Sequence, residues 1–187
     1  MTLDIKQAVE VLRQGGVILY PTDTIWGIGC DATCEAAVQK VYDIKKRIDS
    51  KALLVLVDSE AKLQGYVDAV PDVAWDLIEL SEKPLTIIYS GAKNLANNLV
   101  ASDGTVGIRI TNERFSKRLC ESFRKPIVST SANISGSLSP SCFQEISDDI
   151  LSAVDYVVQY RQGDLSKATP SSIIKLGVTG EIKIIRP

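Results

Sequence analysis

Along the chain, short and almost wholly apolar runs alternate with longer segments in which apolar residues recur every three or four positions. The first kind reads as buried strands and the second as helices with one inward face. Ile5, Ala8, Val9 and Leu12 lie on one helical face, with Thr2 or Asp4 as a cap and Gly15-Gly16 as a stop. Val17 to Tyr20 is predicted as a buried strand ended by Pro21, and Ile25 to Cys30 as a second extended segment in which glycines admit a close neighbour. A helix follows from a Thr33 cap to about Lys46, with Ala37, Val38, Val41 and Ile44 inward.

Leu53 to Val57 reads as a strand, Pro71 to Leu80 as a helix with proline in its first turn, and Leu85 to Tyr89 as another strand. Residues 91–104 form a connection that reads either as a flap or as a short helix. Val106 to Ile110 is a strand carrying Arg109, which there requires an anionic partner or an exposed face. Asn112 is positioned to cap a helix to about Arg124, with Phe115, Leu119 and Phe123 inward. Val128 leads a further strand, Tyr156 to Gln159 another, and Ser172 to Leu176 with Glu181 to Ile185 flank a Gly-Val-Thr-Gly turn as a terminal hairpin. The alternation predicts an α/β chain, and the hairpin makes its sheet mixed.

Composition narrows the chemistry. The 187 residues, 45% of them hydrophobic, suffice for one substantial core, so a single domain over 1–187 is expected. A net charge of -2 means that any bound anion is held by local cations and not by the whole surface. With no histidine, Ser-His-Asp and Cys-His catalysis are excluded, as are the usual histidine-containing metal sites; no metal-ligating set is expected. Cys30, Cys34, Cys120 and Cys142 lack a CxxC pair and read as reduced thiols. No apolar run is long enough to span a bilayer and no secretory pattern opens the chain, so a cytoplasmic location is expected.

Three polar segments sit at the ends of apolar runs: Pro21 to Thr24, the cations Lys45, Lys46, Arg47 and Lys51, and Ser129 to Gly136. The last is rich in hydroxyls and amides that a packed interior cannot satisfy. We expect the three to meet around one anionic ligand, with Arg109 and Arg186 near strand ends adding charge. GxxxxGK[ST] and GxGxxG are both absent. The residue types best serve transfer at phosphorus, where positioning and charge neutralisation carry most of the catalysis.

The stretches GGVILYPTDTIWGIGCDA, KKRIDSKALLVLV, EKPLTIIY, VGIRIT, KPIVSTSANISG and PSSIIKL, with the last arginine, resemble the YrdC-like L-threonylcarbamoyladenylate synthases in order and spacing. The resemblance implies an open, mixed YrdC/RibB-like sheet, twisted around a basic cavity and flanked by helices, in the short form without the extra C-terminal domain of longer members. It also implies formation of threonylcarbamoyl-AMP and pyrophosphate from L-threonine, bicarbonate or CO2, and ATP with magnesium. Partner proteins then pass the group to tRNA, and contact with tRNA or double-stranded RNA is a further expectation.

On matching positions, the resemblance implies Lys45, Arg47 and Lys51 as catalytic phosphate-binding cations. It implies Thr24, Arg109, Ser129 and Ser172 for threonine, and Thr105, Ser131, Asn133, Ser139 and Arg186, with Arg47 and Lys51, for ATP. Asp23, Trp26, Lys46, Ile48, Ala52, Leu56 and Asn112 depart from the family's usual residues, and the late Ser-Thr is Ser171-Ser172. An alternative is an RNA-binding or ribosome-associated module of the same fold without turnover, suggested by Arg114, Lys117, Arg118, Arg124 and Lys125 on one helix.

Overall fold

A computed structural model describes residues 1–46, 53–166 and 169–187. The predicted positions Arg47 and Lys51, with Ile48 and Ala52, lie outside the described residues.

The helices are α1 (Thr2–Arg13), α2 (Glu35–Ile44), α3 (Glu60–Leu63), α4 (Asp72–Leu80), α5 (Arg114–Phe123) and α6 (Asp148–Ala153). The strands are β1 (Ile18–Tyr20), β2 (Gly27–Gly29), β3 (Leu54–Val57), β4 (Leu85–Ser90), β5 (Thr105–Ile110), β6 (Ile127–Ser131), β7 (Tyr156–Val157), β8 (Ser172–Leu176) and β9 (Ile182–Arg186). They join in one sheet of order β7-β1-β2-β6-β3-β5-β4-β8-β9. The pairs β1–β7, β3–β5 and β4–β8 are parallel and the rest antiparallel, which is the mixed sheet that the pattern called for.

The apolar runs are the strands because their β-branched residues suit a pleated surface buried on both sides. Val55, Leu56, Val57, Val106, Ile108, Ile127 and Val128 are buried, and so are the inward residues of α1 and α5. Gly29 shows why a glycine is needed in β2: a Cβ there would lie 2.5 Å from the Val128 carbonyl oxygen and 2.6 Å from the Tyr20 ring.

Several local expectations shift by a residue or two, each for an identifiable reason. Thr33 does not cap α2; its hydroxyl and amide both go to Asp31 Oδ1, at 2.6 and 2.8 Å, and the helix begins after Cys34. Glu113, not Asn112, caps α5, because its longer side chain reaches back so that Oε2 accepts from the amides of Phe115 and Ser116. Asp4 lies within α1 and accepts from the Tyr156 hydroxyl and the Gln159 amide, tying the helix to β7. That strand is shorter than predicted, ending at Val157. The ambiguous 91–104 connection contains a single 3-10 turn, Asn97–Leu99.

Candidate active site

Alternation along the central strands decides which side chains face one concave surface. On β4 these are Thr86 and Ile88, on β5 Gly107 and Arg109, and on β6 Ser129 and Ser131; together with Leu54, Gly27 and Trp26 they line a cavity of about 300 Å³. Thr24, Ser139, Pro170, Ser171 and Arg186 complete its lining. Gly107 helps to leave this volume open, since a side chain there would fill space beside Thr86.

The corner at the 21–25 turn is built around Arg109. Its guanidinium is buried and meets Asp23 Oδ1 at 2.9 Å, while Nη2 also donates to Thr24 Oγ1 at 3.4 Å. Arg109 Nε has no hydrogen-bond partner among the described residues. The turn is held by Thr22, whose hydroxyl donates to the Ile25 carbonyl at 2.7 Å, accepts from the Thr24 amide and lies 3.0 Å from Thr24 Oγ1. Burial pushes the Asp23 carboxyl above the usual carboxylate range; Arg109 opposes this and the charge of Glu113 adds to it.

Arg186 reaches the opposite wall through a kink in the edge strand. The β8–β9 register shifts between Ile173 and Ile174, so that Ile174 faces Ile184 while Ile173 faces Arg186. The extra residue turns Arg186 onto the cavity side. Its Nε donates to the Ser171 carbonyl at 2.8 Å and its Nη2 to Ser171 Oγ at 3.4 Å; that hydroxyl lies 2.9 Å from Thr86 Oγ1. Partial burial, and then the positive charge of Arg109, make Arg186 easier to deprotonate than an isolated arginine. Two guanidiniums facing one cavity favour an anion between them.

The cavity therefore gathers Thr24, Arg109, Ser129, Ser131, Ser139 and Arg186, which come from four segments far apart in sequence. Other expected residues lie elsewhere. Lys45 ends α2 with its ammonium buried, donating to the carbonyls of Ser131 at 2.6 Å and Asn133 at 2.8 Å, so it braces the 131–135 loop. Asn133 Nδ2 donates to the carbonyls of Ile134 and Ser137 and shapes that same loop. Thr105 gives its hydroxyl to Asp103 Oδ1 at 2.6 Å and is not among the lining residues.

Ser172 faces the other side of the sheet with Leu77, Leu85 and Ile174, since neighbouring residues of a strand point opposite ways; Ser171 takes the inward position. The sequence reading missed Thr86 and Ser171. Thr86 carried a usable signal, as the one aliphatic hydroxyl in the apolar run LTIIY.

Among the described residues no group of three or more Cys, Asp or Glu side chains is arranged to hold a metal ion, and the four cysteines are free. Nor is any described helix long and apolar enough to cross a membrane.

The family model Sua5/YciO/YrdC, described as "Telomere recombination", matches residues 10–187. The chain belongs to that family. A curated member, the threonylcarbamoyl-AMP synthase of Pseudoalteromonas translucida, is 35% identical over 181 residues, covering 95% of each chain. Among solved members, E. coli YciO superposes with a TM-score of 0.84 at 28% identity, covering 97% of this chain and 87% of its own. P. abyssi Sua5, solved in complex with L-threonine, superposes with a TM-score of 0.86 at 24% identity and shows the shared fold. This chain covers 98% of itself in that match but only 53% of the Sua5 chain.

Proposed function

We propose that the protein is a threonylcarbamoyl-AMP synthase, and that the cavity between Arg109 and Arg186 is its active site. The observation that carries this reading is the pair of guanidiniums facing one hydroxyl-lined volume, in a chain whose relatives over nearly their whole length bear that activity's name. Threonine is assigned to the Arg109 corner: Arg109 receives its carboxylate, and Thr24 and Ser129 bond its polar groups. The triphosphate is assigned to the side of Arg186, with Ser131 and Ser139 contributing hydroxyls. Arg47 and Lys51 retain their proposed role as phosphate cations. Ser171 replaces Ser172 as the late-strand hydroxyl, and Lys45 acts by holding Ser131 and Asn133 in place.

In this mechanism the threonine amine adds to CO2 to give a carbamate, losing a proton. A carbamate oxygen then attacks the α-phosphorus of ATP and pyrophosphate leaves. The protein's contribution is electrostatic and positional: fixed cations offset charge on the transferred group and on the leaving pyrophosphate, in a site oriented before reaction. Magnesium is assigned to the ATP substrate.

The product is an activated group destined for tRNA, delivered by partner proteins in the cytoplasm. Contact with tRNA or double-stranded RNA is assigned to α5, where Arg114, Lys117, Arg118 and Arg124 have no acidic partner among the described ion pairs. The decisive assay is pyrophosphate release with each substrate withheld in turn. Release should require threonine, bicarbonate and ATP together; release indifferent to threonine refutes the assignment.

A further inference from the structure

The loop after β7 has no part in the chemistry proposed so far, yet one of its side chains reaches the turn that carries Asp23 and Thr24. Arg161 Nη1 donates to the Thr22 carbonyl at 3.3 Å. The same nitrogen lies 3.5 Å from Glu113 Oε1, at the cap of α5, and Nε and Nη2 both bond Asp164 Oδ2 at 3.1 and 3.0 Å. Two other segments and Arg161's own loop thus meet at one planar fork, whose geometry a lysine does not reproduce. Arg161 also holds a left-handed backbone at φ 68, which a non-glycine residue keeps only where its surroundings impose it.

The neighbours of Arg161 hold the loop independently of it. The Tyr160 ring stacks on Phe115 at 5.6 Å, the Gln159 amide donates to Asp4, and Gln144 donates to the Gln162 carbonyl. The loop is therefore a fixed post, and Arg161 is its reach toward the turn. From Thr22 the connection runs through the Thr22 and Thr24 hydroxyls to Arg109 Nη2 and Asp23.

We propose that Arg161 is a positioning residue for the amino-acid half of the site, bracing the 21–25 turn against α5 so that Thr24 and Arg109 are held ready for a substrate carboxylate. The inference rests on the assignment of that corner to the amino acid. It has an electrostatic side as well. Asp23 faces Arg109 from β5 and the negative charge of Glu113 from α5, and it shares a small cavity with Glu82 and Lys83 from the turn before β4. Arg161 offsets Glu113; without it, Asp23 takes a proton more readily and Arg109 loses its anchor.

The test compares Arg161→Ala and Arg161→Lys with the parent protein. In the absence of any substrate, amide exchange at residues 22–25 should speed up about tenfold in Arg161→Ala while the amides of β3 and β5 keep their rates. The KM for threonine should rise about tenfold with that for ATP changed less than twofold, and the acid limb of the pH profile should move to higher pH. Arg161→Lys should restore the pH limb, since it keeps the charge, and recover part of the KM. Unchanged exchange at 22–25, or threonine and ATP KM values rising together, overturns the proposal. Exchange needs no turnover, so a parent protein without threonine-dependent activity refutes the functional assignment and still leaves the brace decided.

Discussion

The two walls of the cavity are built in opposite ways. At the Arg109 corner the charge is buried in the middle of the sheet, paired with Asp23 and tied to a turn that is hydrogen-bonded on itself. At the Arg186 wall the charge sits on an edge strand whose five residues are all exposed, and it is aimed inward by a register shift and two bonds to Ser171. The first arrangement suits recognition of a small ligand in one fixed pose, because little has to be ordered on binding. The second suits a larger, flexible polyanion, which a cation on an exposed edge can meet in more than one pose.

If the contrast is real, Arg109→Gln should produce the largest effect of any single change. Threonine-dependent pyrophosphate release should fall by about 100-fold or more. Asp23 would lose the guanidinium it meets at 2.9 Å, so stability should drop by about 3–5 kcal/mol, measured by urea denaturation. Lys45→Met comes next: two half-buried carbonyls lose an ammonium donor, for about 1–3 kcal/mol of stability, with activity lost as the 131–135 loop shifts. Arg186→Ala should be smaller and of another kind. The kcat/KM for ATP should fall by roughly tenfold through a raised KM, while stability changes by less than about 0.5 kcal/mol, as for other exposed positions. Equal destabilisation by Arg109→Gln and Arg186→Ala would erase the distinction between the walls.

The pH dependence sharpens the same point. Unfolded, the Asp23 carboxyl titrates near 3.8; in the folded protein its pKa lies higher because of burial. The folded state therefore binds the proton more tightly than the unfolded chain, and this group alone favours folding at low pH and opposes it as pH rises through the folded value. Activity runs the other way, since protonated Asp23 no longer anchors Arg109. Acidification should reduce threonine-dependent turnover before it reduces stability, and Asp23→Asn should abolish that separation. The smallest effect expected is for Arg114→Ala with Arg118→Ala: less than about twofold on turnover, with a shallower salt dependence of any RNA binding.

How much of this was readable from the chain follows from what each residue needs. The strands and the mixed sheet were legible because apolar runs and a glycine turn specify them locally. Arg109 was legible too, since an arginine inside an apolar strand demands an anion. What it found was Asp23, a partner 86 residues away that no local pattern names. The choice between Ser171 and Ser172 depends on which face of β8 turns inward, a one-residue matter fixed by pairing with β4. The cap of α2 was misread because Asp31 competes for Thr33, with Lys125 at 2.6 Å holding its other oxygen. Lys45 was expected to reach the phosphates of the ligand, but its ammonium goes to the carbonyls of Ser131 and Asn133, which only the return of the 131–135 loop brings to it.

The central claim is that one cavity holds the amino acid and the nucleotide side by side. The structure of the protein with threonine and a non-hydrolysable ATP analogue bound together tests it most directly. The account predicts the threonine carboxylate against Arg109 and Thr24, the phosphates toward Arg186, and the amine facing the α-phosphate. Threonine found in another cavity, or the nucleotide bound away from Arg186, contradicts it.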